Sequence, residues 1–197
     1  MYQVILASNS PRRKEILSQV GIEFTVFPST VEEVITKTKP AEVVQELSLQ
    51  KAWDVANHIR EQLPKDRIII GADTVVATNE VILGKPKDAL HAKEMLSMLQ
   101  GNVHSVYTGV SVVILQGEVI STLQFYEETK VEVYPMSMEE IEAYLADDEY
   151  KDKAGAYGIQ GRFGAYIKGI QGDYYNVVGF PIARFIQQLK EKGISLE

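Results

Sequence analysis

The chain has 197 residues, a net charge of −7, 45% hydrophobic and 24% charged residues, and no cysteine. That length buries a real core, and the acidic balance argues against a general nucleic-acid binder, which needs a spread basic surface. Disulfides, zinc–thiolate sites and thiol nucleophiles are excluded, and three scattered histidines (His58, His91, His104) without a His-Glu-x-x-His pattern argue against a zinc hydrolase. No apolar stretch approaches membrane-spanning length, and Met1 opens no charged-then-apolar signal. A cytoplasmic protein is expected, with neither a membrane nor nucleic acid as partner.

Val4, Ile5 and Leu6 suit a short buried strand. Ser8, Asn9 and Ser10 are good helix N-caps, Pro11 fits the first helical position, and Ile16, Leu17 and Val20 recur at helical spacing before Gly21. Arg12, Arg13 and Lys14 crowd the first turn, where the helix dipole disfavours cations unless an anion is bound. Free N–H groups, the Ser8 and Ser10 hydroxyls and two guanidinium forks together form a phosphate trap. On this reading, replacing Arg12 or Arg13 by Ala leaves the unliganded protein stable or slightly more stable.

Ile22, Phe24 and Val26 alternate as a half-buried strand ended by Pro28, and residues 30–40 form a polar loop. Residues 41–63 read as a long helix closed by Pro64, with Val44, Leu47, Val55 and Ile59 on one side. Residues 67–77 form an apolar strand, and 81–83 a short one beside it. Asp88 caps a helix to Gln100 carrying Ala89, Ala92, Met95, Leu96 and Leu99. Residues 103–134 are β-rich with a hairpin turn at Gln116-Gly117, and Ser137 caps a helix to about Leu145. The acidic run Asp147-Asp148-Glu149 reads as a solvated helix end. A glycine-studded stretch, 155–179, precedes a last helix opened by Pro181. Helices alternating with strands, followed by antiparallel strands, predict an α/β fold with a mixed sheet.

Several side chains sit where composition does not expect them. Asp73 ends a run apolar enough to be buried, so it needs a metal, a cationic partner or a role as a base, unless it caps the next turn. Thr74 offers a hydroxyl beside it. Lys51 falls between Leu47 and Val55 on the core side of its helix, and either snorkels or emerges into a cleft. Lys85, in Leu83-Gly84-Lys85-Pro86, is a restricted turn lysine outside any P-loop pattern. Glu33, with Glu32, adds carboxylates suited to magnesium alongside Asp73. In residues 152–161 the glycines permit close approach, and Gln160 can read a nucleobase edge; a glycine-rich bend is the alternative.

In order, Ala7-Ser8-Asn9-Ser10-Pro11-Arg12-Arg13, Lys51-Ala52, Gly71-Ala72-Asp73-Thr74-Val75-Val76, Gly84-Lys85-Pro86, His104-Ser105-Val106-Tyr107-Thr108-Gly109, residues 152–161 and Asn176-Val177-Val178-Gly179-Phe180-Pro181 resemble the Maf family, also called septum formation inhibitor-like proteins. The family's Val-Asp-Glu motif stands here as Val31-Glu32-Glu33, leaving Glu33 as the matching carboxylate. The resemblance implies a single nucleotide pyrophosphatase domain over residues 1–197. It also implies an inosine-triphosphatase-like α/β fold, with a mixed sheet flanked by helices and a central cleft. The implied activity is hydrolysis of a nucleoside triphosphate to the monophosphate and pyrophosphate, with a divalent metal (Mg or Mn). The form of residues 152–161 resembles the branch acting on dTTP and UTP. Asp73 matches the proton acceptor, and Arg12, Thr74 and Gln160 match positions tied to substrate choice.

Joined to the residue reading, this gives Arg12, Arg13, Lys51 and Lys85 on the triphosphate, Glu33 and Asp73 as metal carboxylates, and Asp73 as the base. Whether Asp73 is ligand or base stays open, as does a homodimer. The alternative from another class is a non-hydrolytic nucleotide-sensing or interaction protein acting in cell division.

Overall fold

A computed structural model describes residues 2–59, 66–79 and 81–196. Its seven-stranded mixed sheet has the order β2-β1-β3-β5-β6-β7, with β4 paired to β3 off that path. β1 (Gln3–Leu6) lies parallel to both β2 (Thr25–Val26) and β3 (Arg67–Ala77), and β4 (Ile82–Leu83) returns antiparallel along the end of β3. β5 (Val103–Gln116) and β6 (Val119–Val133) form the hairpin across Gly117, and β7 (Ile167–Gln171) closes the series antiparallel to β6. Flanking helices are α1 (Pro11–Gln19), α2 (Pro40–Ile59), α3 (Ala89–Leu99), α4 (Met138–Leu145), α5 (Tyr174–Val178) and α6 (Ile182–Glu191). Among the described residues no helix is long and apolar enough to cross a membrane.

By internal contacts the chain divides into two compact units. The first comprises Met1–Asp73, Thr108–Glu127 and Gly179–Glu197. Here Ile5, Ala7 and Ile69 from the strands pack against Ala52, Val55, Ala56 and Ile59 of α2. Buried α2 residues recur every three or four positions from Val43 to Ile59, which is why this sequence forms one long amphipathic helix. The single polar residue of that stripe, Ser48, is satisfied by the Ser111 hydroxyl at 2.8 Å. Gly71 sets how close α2 comes. A Cβ there would lie 2.2 Å from the Ser48 carbonyl oxygen and 2.7 Å from the Ala52 nitrogen, so the strand and helix backbones nearly touch.

The second unit comprises Thr74–Tyr107 and Glu128–Val178. Its core joins Met95, Leu96 and Leu99 of α3 to Val106, Tyr144, Tyr157 and Phe163. Asp88 accepts from the His91 N–H to cap α3, and Ser137 with Glu140 forms a reciprocal capping box on α4. His104 is buried, 2.7 Å from the Tyr157 hydroxyl, with its Nδ1 unpartnered.

The structure corrects the sequence reading in places. β2 is two residues long and Val26 is 39% exposed, because the alternation is spent on Ile22, which is buried before the strand begins. The expected helix end at Leu63 and Pro64 lies outside the described residues. Ala89 is exposed in the first turn of α3. The glycine-studded stretch holds two 3-10 turns (Ala154–Ala156 and Arg162–Tyr166), β7 and α5. Glu149 is not a solvated helix end: it is half-buried, and its Oε2 accepts from the Arg162 N–H at 3.0 Å.

Two tests follow from packing. Gly71→Ala forces β3 and α2 apart and should destabilise by about 1–3 kcal/mol in urea unfolding; an unchanged midpoint contradicts the close approach. Burial lowers the His104 pKa from 6.5 to about 4. The unfolded chain therefore takes up a proton that the folded chain refuses, so stability falls as pH drops from 6.5 towards 4 and is flat above. The full loss is on the order of 3 kcal/mol. His104→Gln should remove that part of the acid slope; an identical slope would show that His104 does not cause it.

Candidate active site

The turn after β1 brings Ser8 and Ser10 to the start of α1. The Ser8 hydroxyl oxygen accepts from the Ser10 N–H at 3.2 Å and from Arg13 Nη1 at 3.1 Å. Ser10 occupies the N-cap position without a side-chain cap bond, and Pro11 follows it. Arg13 also donates through Nε to the Gly179 carbonyl at 3.0 Å. Burial lowers the Arg13 pKa to about 10; Asp73 and Glu33 oppose the shift and neighbouring Arg12 adds to it. Arg13 remains a cation at neutral pH. Its contacts correct the expectation that both arginines are dispensable for stability: Arg13 ties the turn to a backbone carbonyl far along the chain.

Side chains alternate along a strand, so Ile69, Gly71 and Asp73 share one face of β3. Ile69 packs on α2, Gly71 lets the helix backbone in, and Asp73 meets Lys51, which adjoins Ala52. Lys51 Nζ lies 2.5 Å from Asp73 Oδ1 and 2.9 Å from Glu33 Oε1. Side-chain exposure is 16% for Lys51, 15% for Asp73 and 46% for Glu33. Lys51 and Asp73 form a half-buried ion pair, so the cationic partner that was one option for Asp73 is present. The first unit thus brings together Ser8, Ser10, Arg12, Arg13, Glu33, Lys51 and Asp73.

Thr74, Lys85 and Gln160 belong to the second unit. Lys85 is exposed in the turn after β4, where the preceding Gly84 carbonyl accepts from the Gly155 N–H at 3.0 Å. That bond ties the lysine turn to residues 152–161. There Gly155 takes φ 67° and a Cβ would meet Val76 at 2.9 Å, so only glycine fits. Gln160 is exposed beside Gly161, whose missing side chain makes room for the Glu149 carboxylate.

A family model described as Maf-like protein matches residues 3–192. The chain belongs to the Maf-like family. It is 51% identical over 209 residues to a dTTP/UTP pyrophosphatase of Agathobacter rectalis, covering 100% of both chains. To the proteins of the same name in Lachnoclostridium phytofermentans and Bacillus cereus it is 54% and 46% identical, over 100% of this chain and 98% of each relative. Among solved structures, a dITP/XTP pyrophosphatase of Mycobacterium abscessus aligns with 66% of this Maf-like chain and 72% of its own, at TM-score 0.37 and 12% identity.

Sequence reasoning missed what holds the loop carrying Glu33. Asp54 of α2 accepts from the Ser29 hydroxyl at 2.7 Å and the Thr30 N–H at 2.9 Å. Gln50 accepts from the Val34 N–H at 3.0 Å and donates to the Val34 carbonyl at 2.7 Å. Glu46 accepts from the Thr36 hydroxyl and N–H at 2.5 and 2.9 Å, bonds that hold its carboxyl below the usual range. The available signal was the four-residue spacing of Glu46, Gln50 and Asp54, three polar groups on one helix face.

Arg13→Ala should lower the thermal midpoint, at a cost of about 1–3 kcal/mol for the lost charge-assisted bonds. A midpoint equal to or above that of the native protein restores the purely phosphate-directed reading of Arg13.

Proposed function

We propose that this Maf-like protein hydrolyses dTTP and UTP to the nucleoside monophosphate and pyrophosphate, as a single domain over residues 1–197. The observation that carries the reading is the convergence of Glu33 and Asp73 on one point, where Lys51 Nζ lies 2.9 and 2.5 Å from them, within the electrostatic reach of Arg13. Full-length relatives at 46–54% identity named dTTP/UTP pyrophosphatase support the substrate class.

Glu33 and Asp73 fit a divalent cation such as Mg or Mn, since two converging carboxylates are what a hard cation takes from protein when phosphate oxygens and water complete its shell. When bound, such an ion polarises phosphate oxygens and lowers the pKa of a bound water.

Arg12, Arg13 and Lys85 neutralise the triphosphate, with Ser8 and Ser10 supplying hydroxyls and the start of α1 its free N–H groups. Lys51 stabilises charge that grows on the phosphoryl oxygens. Asp73, oriented by Lys51, positions a water and accepts its proton. The water oxygen bonds to the α-phosphorus, the bridge to the β-phosphorus breaks, and pyrophosphate leaves with that pair of electrons. Gln160 pairs with adjacent donor and acceptor groups of a pyrimidine, with Thr74 and Arg12 assisting substrate choice. A cytoplasmic location is part of the same proposal.

Asp73→Asn keeps the side chain's size and removes its charge, so turnover of dTTP should fall at least about a hundredfold in a pyrophosphate-release assay while the fold persists. Near-native activity would return Asp73 to a structural role. Native enzyme should turn over dTTP and UTP with higher kcat/KM than GTP and 7-methyl-GTP, and Gln160→Ala should narrow that spread. A preference for 7-methyl-GTP contradicts the substrate assignment.

A further inference from the structure

We infer that Gln50 is a positioning residue for Glu33, acting by clamping the peptide group that follows it. The inference rests on the reading of Glu33 given above. Residues 31–38 have no regular secondary structure, so their backbone groups find partners elsewhere. Apolar burial does not hold this stretch, because Val34 and Ile35 are 57% and 58% exposed. Side chains of α2 hold it instead. Asp54, Gln50 and Glu46 stand one turn apart and take Ser29 and Thr30, Val34, and Thr36 in turn.

The spacing leaves slack where it matters. From Asp54 to Gln50 the helix advances about 6 Å. The loop residues they hold, Thr30 and Val34, could span about 13 Å if extended. The excess chain is Val31-Glu32-Glu33, the segment whose carboxylate pairs with Lys51 at 2.9 Å. Gln50 and Lys51 are adjacent on the helix, as Val34 and Glu33 are on the loop. One pair fixes the backbone and the other fixes the side chain.

Only a carboxamide of this length can serve Val34 as a neighbouring strand would, accepting from its N–H and donating to its C=O together. A carboxylate offers no donor, and Asn is one methylene short. Without the clamp the loop keeps its ends, at Asp54 and Glu46, but loses its fixed point beside Glu33. Misplacement of a reacting group by about 1 Å costs roughly a hundredfold in rate, so loss of this one contact is visible in turnover.

The test compares native protein, Gln50→Met, Glu33→Gln and the double variant, with dTTP as substrate and pyrophosphate release as readout. Methionine keeps the unbranched bulk and removes both hydrogen bonds. Gln50→Met should lower kcat about tenfold or more with a smaller change in KM, because the phosphate-binding arginines are untouched. Amide hydrogen exchange should rise at Val34 and its neighbours, with the thermal midpoint within about 2 °C of native. In the Glu33→Gln background the second substitution should add less than about twofold, since both act through one group. Native turnover in Gln50→Met, with Glu33→Gln impaired, overturns this inference and leaves the reading of Glu33 standing. Effects that multiply independently in the double variant also overturn it. Native turnover in Glu33→Gln removes both the inference and the reading beneath it.

Discussion

A lysine ammonium between two carboxylates is the interaction on which the site depends. Glu33 and Asp73 would repel each other and Asp73 would be costly to bury, yet Lys51 lies within 2.9 and 2.5 Å of them. The arrangement follows from backbone geometry. Gly71 lets α2 pack so tightly on β3 that a Cβ would strike the Ser48 carbonyl, and Asp73 lies two residues further on the same strand face. Lys51 sits beside Ala52, at the contact itself. A side chain at position 71 would push away the helix that supplies the counter-charge.

The arginine cluster makes the same point with the opposite charge. Arg12 and Arg13 start a helix whose dipole opposes them, and α1 has no acidic residue in its first turn to offset that cost. Arg13 compensates by hydrogen bonding to Ser8 and to Gly179, and it sits in the field of Asp73 and Glu33. It is therefore both a structural strut and a cation next to paired carboxylates. A bound polyphosphate would bring the negative charge that the first turn of α1 lacks.

Much of this was legible in the sequence, for physical reasons that differ by element. β3 matched at both ends, because eleven mostly apolar residues between polar boundaries leave few alternatives. The caps at Asp88 and Ser137 matched because their side-chain chemistry is local. Lys51 and Asp73 stood out individually as charges on apolar faces, and only tertiary packing made them a pair. The loop clamp formed by Glu46, Gln50 and Asp54 left only its four-residue spacing as a signal, and polar residues so spaced look like solvated surface until the loop they hold is seen. Glu149 was misread for the same reason: its partner is the Arg162 N–H, thirteen residues away. β7 and α5 hid in a glycine-rich stretch where neither a period of 2 nor of 3.6 residues is established.

On the proposed function, these cations and carboxylates direct water to the α-phosphorus of a nucleoside triphosphate. The most direct test is hydrolysis of dTTP in water enriched in heavy oxygen, followed by mass spectrometry of both products. Attack at the α-phosphorus places one heavy oxygen in the nucleoside monophosphate and none in pyrophosphate. Label in pyrophosphate, or release of orthophosphate with a nucleoside diphosphate, would contradict it.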